Sequence, residues 1–492
     1  MRRDRAGVAR AVRGARALFV GLLASLLVSL LGGCAANPEG DAADGPPRPN
    51  LLLVLVDDAG WVDLGFQGSR EFATPALDAF RDQGVQCTQA YVAASVCSPS
   101  RAALLTGRHP QRFGHEFNIP GKPLPGTTWE ETGLPVEERT LADRLGAAGY
   151  RTGAIGKWHL GETAGFRPLE RGFEEFFGFL GGSRSYWALD GDARRGHLLR
   201  EGDDVVAEIE GTYLTEVLAD RTLAFLDAHV ERGEERPFFL YLSWNAVHTP
   251  MHATERDLEA NAHVEPAKRR KLGGMTTALD AAMARILTRL DELGMAEDTL
   301  VLFLNDNGGA TINASSNGPL RGHKGTKFEG GLRVPWVVRW PRALPEGGAY
   351  GRPVSALDVV PTFLSAAGVP VPPEIDGVDL LPYLTGAADG DPHERMFWRR
   401  GVVAAVRAGD WKLIRAAGEP VALFDLARDP FEHEDRRAEE PGRVTALMDA
   451  LAEWERGLTD PRWRTAQVWT ERQLEWHTSP DERASATEGS TR

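Results

Sequence analysis

Two pairs of residues with hard oxygen ligands follow apolar segments of the sequence. Asp57 and Asp58 come directly after one apolar run, and Asp306 and Asn307 follow another after a single residue. Ca²⁺ and Mg²⁺ prefer carboxylate and amide oxygens, and adjacent carboxylates repel each other unless a cation lies between them. One pair alone is typical of a turn, a common role for Asp and Asn. Two pairs at the ends of apolar segments favour a metal site for Ca²⁺, with Mg²⁺ as the alternative ion.

A cysteine stands near the start of a predicted short helix. In Cys97-x-Pro99-x-Arg101, Pro99 suits the first helical turn, Ser98 is a good capping residue, and Gly107 is typical of a helix end. The N-terminus of a helix favours anions, and Arg101 lies about one turn further along, within reach of Cys97. These features suit a reactive thiol with a low pKa, and they also suit an inert cysteine. Physical chemistry of this segment leaves both alternatives open.

Basic and imidazole side chains follow other apolar segments in the same way. Lys157 and His159 come after residues 153–156, and His248 follows the apolar residues 238–242. Such side chains supply positive charge and proton transfer to a reacting group. An isolated Lys is more often a solvated charge, and an isolated His is more often structural. The position of these residues after apolar segments favours a functional role.

The apolar segments before these residues are continuous rather than alternating. Such runs are typical of strands buried on both faces, as in a parallel sheet covered by helices. Helical patterns lie between them, and the clearest has apolar residues at 279, 283, 286, 290 and 293 and ends at Gly294. Alternating strands and helices predict an α/β fold. Ligands of such sheets bind at the carboxyl ends of the strands, so we expect the polar residues to converge at one edge.

Length and composition fit a globular enzyme with two domains. The chain has 492 residues, of which 42% are hydrophobic and 26% are charged. Its formal net charge of -14 argues against nucleic acid as a partner, because proteins that bind nucleic acid carry basic faces. Prolines near residue 370 separate a predicted catalytic domain over residues 50–370 from a smaller α+β domain over residues 371–475. A polar tail over residues 476–492 follows.

The smaller domain carries weaker patterns. Short strands are predicted over residues 402–406 and 411–414, and a helix is predicted over residues 442–458. We find no internal repeat in the sequence.

The N-terminal segment is typical of an exported protein. Several arginines precede an apolar stretch over residues 17–31, which is the layout of a signal peptide and is short for a membrane span. The stretch ends in Leu-Gly-Gly-Cys34, which resembles the lipobox of bacterial lipoproteins, although an ordinary signal peptide with a chance cysteine is the alternative. We therefore expect a signal peptide over residues 1–33, lipid on Cys34, and a flexible tether over residues 34–49.

The cysteine count is consistent with this interpretation. If Cys34 carries lipid, Cys87 and Cys97 remain, and no disulfide framework is evident. We interpret Cys87 as a small buried hydrophobic residue. The expected location is outside the cytoplasm, with the protein anchored to a membrane in the periplasm or at the cell surface.

Cys97-x-Pro99-x-Arg101 matches the signature of the sulfatases, in which this cysteine is oxidised to formylglycine. The resemblance extends from about residue 50 to residue 458, and includes Gly107-Arg108 and the segments 320–325 and 329–335. The chain resembles the arylsulfatase and N-acetylgalactosamine-sulfatase types within the alkaline-phosphatase-like superfamily. This implies a large mixed, mostly parallel sheet flanked by helices.

The resemblance also implies the cofactors and the mechanism. Ca²⁺ is expected on Asp57, Asp58, Asp306, Asn307 and residue 97, and a modifying enzyme of the producing cell is expected to make the formylglycine. One hydroxyl of the hydrated aldehyde, acidified by the metal and Asp306, attacks sulfur and displaces the alcohol. The second hydroxyl then loses its proton and sulfate is expelled.

The family pattern assigns roles to the basic residues. Arg101, Lys157 and Lys324 supply positive charge, and His159 is the expected base for the second hydroxyl. His248, together with Lys324, is the expected proton donor to the departing oxygen. Ser183 resembles a serine that hydrogen-bonds the formylglycine in relatives. His115 and Asn118 are predicted either to line the substrate pocket or to be structural.

The expected substrate is a sulfated small molecule or glycan, and a surface anchor suits sulfated polysaccharides. Two other functions remain open. The first is a phosphodiesterase or phosphonate-monoester hydrolase of the same superfamily, because the same metal and basic cluster would serve phosphoryl groups. The second is a non-catalytic lipoprotein that binds sulfated glycans.

Overall fold

The computed structural model describes residues 48–122, 124–189, 194–233 and 235–478. The predicted signal peptide, the lipid on Cys34, nearly all of the tether and the tail beyond Thr478 lie outside the described residues.

Strands and helices alternate through the first three quarters of the described chain, as the sequence predicts. The strands are β1 Asn50–Val56, β2 Val85–Cys87, β3 Ala90–Tyr91, β4 Arg151–Lys157, β5 Glu175–Phe179, β6 Arg200–Glu201, β7 Asp204–Val205, β8 Phe238–Ser243, β9 Thr299–Asn305, β10 Trp336–Arg339, β11 Gly348–Tyr350, β12 Val354–Ser355, β13 Arg395–Arg400, β14 Val403–Ala408, β15 Trp411–Ala416 and β16 Ala422–Asp425. The α-helices are α1 Pro75–Asp82, α2 Cys97–Thr106, α3 Leu141–Ala147, α4 Leu214–Glu231, α5 Glu255–Ala260, α6 Ala267–Glu292, α7 Glu329–Leu332, α8 Val359–Ala366, α9 Leu381–Leu384, α10 Pro441–Arg456 and α11 Gln467–Thr478.

A ten-stranded mixed sheet forms the centre of the molecule, in the order β11-β2-β10-β9-β1-β8-β4-β5-β6-β7. The neighbours from β9 to β5 are all parallel, whereas β10, β6 and β7 pair antiparallel with their neighbours. The predicted large mixed, mostly parallel sheet flanked by helices is therefore confirmed.

The central strands are apolar because helices cover both faces of the sheet. Residues 51–55 of β1 alternate between two hydrophobic cores, one of which contains α3 and α8 and the other α4 and α6. Every residue of β8 and β9 is buried. A continuous apolar run is the pattern expected for such strands, and it fixes the edge at which the polar residues emerge.

Helix α2 begins at Cys97, two residues earlier than the predicted start at Pro99. The N-cap residue is Val96, so Ser98 lies inside the first turn and does not cap the helix. Ser98 instead donates a hydrogen bond from Oγ to the His159 carbonyl oxygen at 2.8 Å. The helix ends at Thr106, and Gly107 adopts a left-handed conformation with φ 70°, as predicted.

The C-terminal segment forms a four-stranded antiparallel sheet in the order β13-β14-β15-β16. The predicted strands over residues 402–406 and 411–414 correspond to β14 and β15, and the predicted helix over residues 442–458 corresponds to α10. Helix α11 extends to Thr478, so the first residues of the predicted polar tail are helical. The domain boundary at residue 370 stays a prediction.

A buried ionic cluster joins this sheet to the catalytic part of the chain. Lys412 Nζ on β15 lies 2.8 Å from Glu329 Oε1 and 2.9 Å from Glu432 Oε1. Glu329 also accepts a hydrogen bond from the Tyr91 hydroxyl at 2.6 Å. These side chains are almost completely buried, so each charge depends on its partners.

Membrane-spanning segments were sought among the helices of the described residues. None of these helices combines the length and the apolar character needed to cross a bilayer.

Candidate active site

Polar residues emerge at the carboxyl edge of the parallel strands. Asp57 follows β1, Lys157 ends β4, and Asp306 follows β9. Two residues at this edge have positive φ angles, 64° for Asp58 and 57° for His159. Left-handed backbone is uncommon for residues with a Cβ and clusters at functional sites. The predicted convergence of these residues is therefore present in the structure.

Oxygen atoms without partners mark a place for a cation among the described residues. Asp58 Oδ2, Asp306 Oδ1 and Asn307 Oδ1 are buried and accept no hydrogen bond. Ligand atoms of Asp57, Asp58, Cys97 and His248 lie within 4.8 Å of one another. Buried carboxylate oxygens without partners are costly unless a cation binds them. This donor set, rich in hard oxygens, fits Ca²⁺ or Mg²⁺.

Arg101 and Lys157 balance part of this negative charge. Arg101 donates two hydrogen bonds to Asp306 Oδ2, from Nε at 3.0 Å and Nη2 at 2.8 Å. Its Nη1 donates to Ser243 Oγ at 2.5 Å. Lys157 Nζ donates to Asp57 Oδ2 at 2.5 Å. Arg101, predicted to reach towards Cys97, thus directs its hydrogen bonds at Asp306 and its neighbours instead.

Cys97 lies at the centre of the cluster and is buried. Its Sγ accepts a hydrogen bond from Lys324 Nζ at 2.9 Å and lies 3.6 Å from Asp57 Oδ1. Burial and the Asp306 carboxylate raise the pKa of the Cys97 thiol to about 12, and the nearby lysines only partly oppose this. An unmodified Cys97 is therefore a neutral thiol at pH 7 and a weak nucleophile.

Lys324 links Cys97 to the acidic residues. Its Nζ donates to Asp58 Oδ1 at 2.6 Å as well as to Cys97 Sγ. Burial would raise the pKa of Asp58, but Lys324 and His248 outweigh it and lower this pKa well below its ordinary value. Burial alone would lower the pKa of Lys324, but the Asp58 carboxylate raises it well above its ordinary value. Lys324 therefore carries a proton beside residue 97.

His248 occupies the other side of the site in one defined tautomer. Its Nδ1 lies 2.7 Å from the Thr249 carbonyl oxygen, so Nδ1 must carry the proton. Its Nε2 lies 3.5 Å from Asp58 Oδ2. Burial lowers the pKa of His248 to about 3 despite the Asp58 carboxylate. A neutral ring of this tautomer presents an acceptor at Nε2, so the predicted role of His248 as proton donor requires that the ring first gain a proton.

His159 lies where β4 ends, next to a glycine pair. A Cβ at Gly182 would come within 2.7 Å of His159 Nε2, so only glycine allows this approach. Burial, together with Lys157 and Arg101, lowers the pKa of His159 well below its ordinary value. A neutral imidazole can accept a proton, which suits the predicted base.

His115 and Asn118 hold the start of α2. The Ser98 hydroxyl donates to the His159 carbonyl oxygen, so the His115 Nε2–H group donates to Ser98 Oγ at 2.6 Å. Asn118 Oδ1 accepts from the Ser98 backbone N–H at 2.9 Å. His115 is completely buried. Of the two predicted roles, this geometry supports the structural one.

Ser183 lies in the wall of a cavity of about 560 Å³. His159 contributes to the wall of this cavity, together with Lys122, Trp129 and Arg194. Among the described residues, Ser183 makes no hydrogen bond to Cys97. The cavity is large enough for a sugar ring and opens next to the predicted base.

A mixed sheet of this topology, with a candidate cation cluster and buried basic residues at its carboxyl edge, is the architecture of the alkaline-phosphatase-like hydrolases. The chain belongs to the sulfatase family, whose model matches residues 49–369, and it is therefore a sulfuric ester hydrolase by class. A second model, described as N-sulphoglucosamine sulphohydrolase, C-terminal, matches residues 323–453.

Named relatives support this membership. The chain is 36% identical to N-acetylgalactosamine-6-sulfatase of Canis lupus familiaris, over 75% of this chain and 72% of the relative. It is 34% identical to Arylsulfatase A of Homo sapiens, over 87% of this chain and 89% of the relative. The solved structure of Ps i-CgsB is 31% identical, with a TM-score of 0.80 over 89% of this chain and 99% of that chain. The same protein has been solved in complex with k-i-k-neocarrahexaose.

Three residues near this site were not predicted from the sequence. Ser243 ends β8 and accepts a hydrogen bond from Arg101. Lys327 and Arg400 are two further cations that are buried close to the segment carrying Lys324. Arg400 shares the buried side of β13 with Met396 and Trp398, but this position is recognisable only once the strand is known.

Proposed function

We propose that this protein hydrolyses sulfate esters of carbohydrates, with a formylglycine made from Cys97 as nucleophile and a Ca²⁺ ion on Asp57, Asp58, Asp306 and Asn307. One observation carries the proposal. Asp58 lies with Asp57, Cys97 and His248 in a group whose ligand atoms are within 4.8 Å of one another, and buried oxygens of Asp58, Asp306 and Asn307 accept no hydrogen bond. Asn307 is joined to this group because its Nδ2 donates to Asp58 Oδ1 at 2.7 Å. A bound Ca²⁺ would polarise the sulfate oxygens and favour attack at sulfur.

Residues of the chain supply the remaining chemistry. Lys157 and Lys324 add positive charge where negative charge develops on the sulfate oxygens. Lys324 is protonated and lies 2.9 Å from residue 97, so it can pass a proton to the departing oxygen. His159 is neutral and can accept the proton released when sulfate is expelled. Arg101 fixes the orientation of Asp306 and leaves its second oxygen available.

A carbohydrate substrate is favoured by the relatives and by the cavity. One relative is named for a sulfated amino sugar, and the solved neighbour Ps i-CgsB was captured with an oligosaccharide. The cavity that contains Ser183 and His159 has an aromatic side chain, Trp129, and cationic side chains in its wall. Aromatic faces and cations suit sugar rings that carry anionic groups.

We also propose that the protein is exported and anchored through lipid on Cys34. A tether between the lipid and residue 50 would leave the active site free to meet large polymers. Metabolic labelling with palmitate tests this proposal, since label should be present in the natural chain and absent after Cys34→Ala.

Mass spectrometry of the tryptic peptide over residues 82–101, from protein made in its natural host, tests the nucleophile. The expected peptide has lost H₂S and gained one oxygen at residue 97. The same preparation is assayed on a sulfate monoester and a phosphate diester, with Cys97→Ala as control. A clear preference for the diester would support the phosphohydrolase alternative. Absence of turnover by a correctly modified protein would support the glycan-binding alternative.

A further inference from the structure

Two buried cations near Cys97 have no carboxylate partner. Arg400 is 7% exposed and Lys327 is 1% exposed. The Lys327 ammonium donates to Ser95 Oγ at 2.9 Å. Within the described part of the chain, neither cation forms an ion pair, and Arg400 Nε is buried without a hydrogen bond. Burial and the neighbouring Arg400 lower the pKa of Lys327 to about 7, so Arg400 is the lasting charge of the two. Buried charges in folded proteins are ordinarily paired, so Arg400 requires an explanation.

Arg400 lies beside the loop that carries Lys324. A Cβ at Gly325 would lie 3.2 Å from Arg400 Nη1, and the Gly325 backbone N–H donates to the Ser95 carbonyl oxygen at 2.8 Å. Lys324, the preceding residue, contacts Cys97 Sγ. Arg400 is thus one loop residue away from the lysine that touches residue 97. Burial lowers the pKa of Arg400 only to about 10, so the guanidinium remains charged at neutral pH.

The local sequence does not provide Arg400 with a partner. Met396, Trp398 and Arg400 are the buried positions of β13, so Arg400 occupies the core-facing side of the strand. Glu116 is a carboxylate that interacts with Arg400 electrostatically, but its oxygens accept hydrogen bonds from Arg399 and from the Gly401 backbone N–H at 2.7 Å. An arginine placed on a core face without a counter-ion is the arrangement expected where a ligand supplies the anion.

An aromatic side chain borders the same place. The Cβ position of Gly325 that is close to Arg400 would lie 2.8 Å from Cζ3 of Trp476 on α11. The helix is held there by His477, whose Nε2 accepts from the Lys327 backbone N–H at 2.9 Å. A guanidinium next to an indole suits a sugar ring with an anionic substituent.

We propose that Arg400, with Lys327 beside it, binds a second oxyanion of the substrate, a sulfate or a carboxylate on the carbohydrate. The preferred substrates would then carry at least one negative group besides the sulfate that is removed. This inference rests on the proposed function, because it assigns a substrate class to the same site.

Matched substrates test the proposal. We suggest a disaccharide with one sulfate, the same disaccharide with a second sulfate, and a form in which a uronic acid carboxylate replaces the second sulfate. Wild-type protein should have a kcat/KM higher by about tenfold to a hundredfold for at least one doubly charged form, the range of a charge-assisted hydrogen bond. The doubly charged form with the higher kcat/KM shows whether the second oxyanion is a sulfate or a carboxylate.

Arg400→Gln should abolish this preference, so that the singly and doubly charged forms have the same kcat/KM, and Arg400→Lys should retain part of it. Arg395→Gln is the matched control. Arg395 lies in the same strand and is exposed, and its substitution removes the same charge. Thermal unfolding of each variant establishes that it folds. Equal losses on singly and doubly charged substrates, or no preference in the wild type, would overturn the proposal.

Binding of selenate, a tetrahedral dianion, separates this proposal from the proposed function. Crystals soaked in selenate should show anomalous density beside Arg400 in the wild type and none there in Arg400→Gln. Selenate at Arg400 in a protein that hydrolyses no sulfate ester would overturn the proposed function and leave the oxyanion site standing. Absence of selenate from Arg400 in the wild type would overturn the site.

Discussion

Arg101 binds Asp306 through two hydrogen bonds to the same carboxylate oxygen, Oδ2, and leaves Oδ1 buried without a partner. Both side chains are completely buried. This arrangement fixes the carboxylate in one orientation and leaves its other oxygen free of hydrogen bonds. In the proposed function, the arginine thereby prepares Asp306 as a cation ligand without occupying the oxygen that would bind the ion.

Arg101→Gln should therefore lower both stability and affinity for Ca²⁺. Removing one partner of a buried ion pair costs about 3–5 kcal/mol, because the other charge is left without compensation. Thermal unfolding with and without Ca²⁺ measures both effects. A variant that binds Ca²⁺ as tightly as the wild type would show that Arg101 does not prepare Asp306 for the cation.

Removal of the metal should lower the unfolding temperature of the wild type. A cation that binds only the folded state stabilises it by about 2.7 kcal/mol at a concentration 100 times its Kd. We expect a chelator to abolish the activity of the wild type and Ca²⁺ to restore it. The unfolding temperature of Asp58→Asn should change with neither the chelator nor Ca²⁺. Asp227→Asn, which changes a partly exposed carboxylate on α4, should behave as the wild type. An unfolding temperature that is indifferent to the chelator would contradict a Ca²⁺ site.

Lys324 and His248 can be distinguished by the leaving group. Since His248 carries its proton on Nδ1, Lys324 is the side chain that is able to donate to the departing oxygen. Lys324→Gln should lower kcat by about 10²–10⁴-fold for a sugar sulfate, whose alcohol leaves poorly, and by much less for a nitrophenyl sulfate. His248→Gln should affect both substrates to a similar extent. The reverse pattern would assign the proton to His248.

Stability should depend on pH through His393. Its Nε2 lies 2.9 Å from both oxygens of Asp358, and although burial opposes it, this carboxylate raises the pKa of His393 above 6.5. The folded state thus binds this proton more tightly than the unfolded chain does. The stabilisation is complete below pH 6.5 and is lost as the pH rises through the raised pKa.

His393→Gln should reduce the free energy of unfolding at pH 6 by about 1–3 kcal/mol, and by less at pH 9. Urea unfolding at both pH values measures this difference. His433→Gln, at an exposed histidine, is the matched control. A loss that is the same at both pH values would show that the His393 proton does not contribute.

The sequence was most informative where a single element determines the environment of a residue. Strands β1, β8 and β9 are buried on both faces, so their apolar runs predicted both the strands and the edge where Asp57 and Asp306 emerge. The start of α2 was harder to predict, because Ser98 is a good capping residue and only the tertiary contact with His159 explains its position inside the helix.

Residues whose role depends on long-range packing escaped prediction. The burial of Lys327 and Arg400 follows from the docking of β13 and α11 against the segment that carries Lys324, and no local pattern describes that docking. Helix α11 begins within the predicted smaller domain and continues into the predicted polar tail. Its polar sequence concealed the contacts that His477 and Trp476 make with the active-site loop.

The origin of these residues bears on how selectivity can evolve. The proposed cation ligands Asp57 and Asp306 follow parallel strands of the central sheet, whereas Arg400 lies on the separate antiparallel sheet and Trp476 on the last described helix. If Arg400 binds the second oxyanion as proposed, substitutions in the C-terminal segment can alter which substrate is accepted while the machinery that cleaves the ester is inherited unchanged. For the same reason, laboratory libraries limited to β13 and α11 would vary substrate choice without changing the residues that follow the parallel strands.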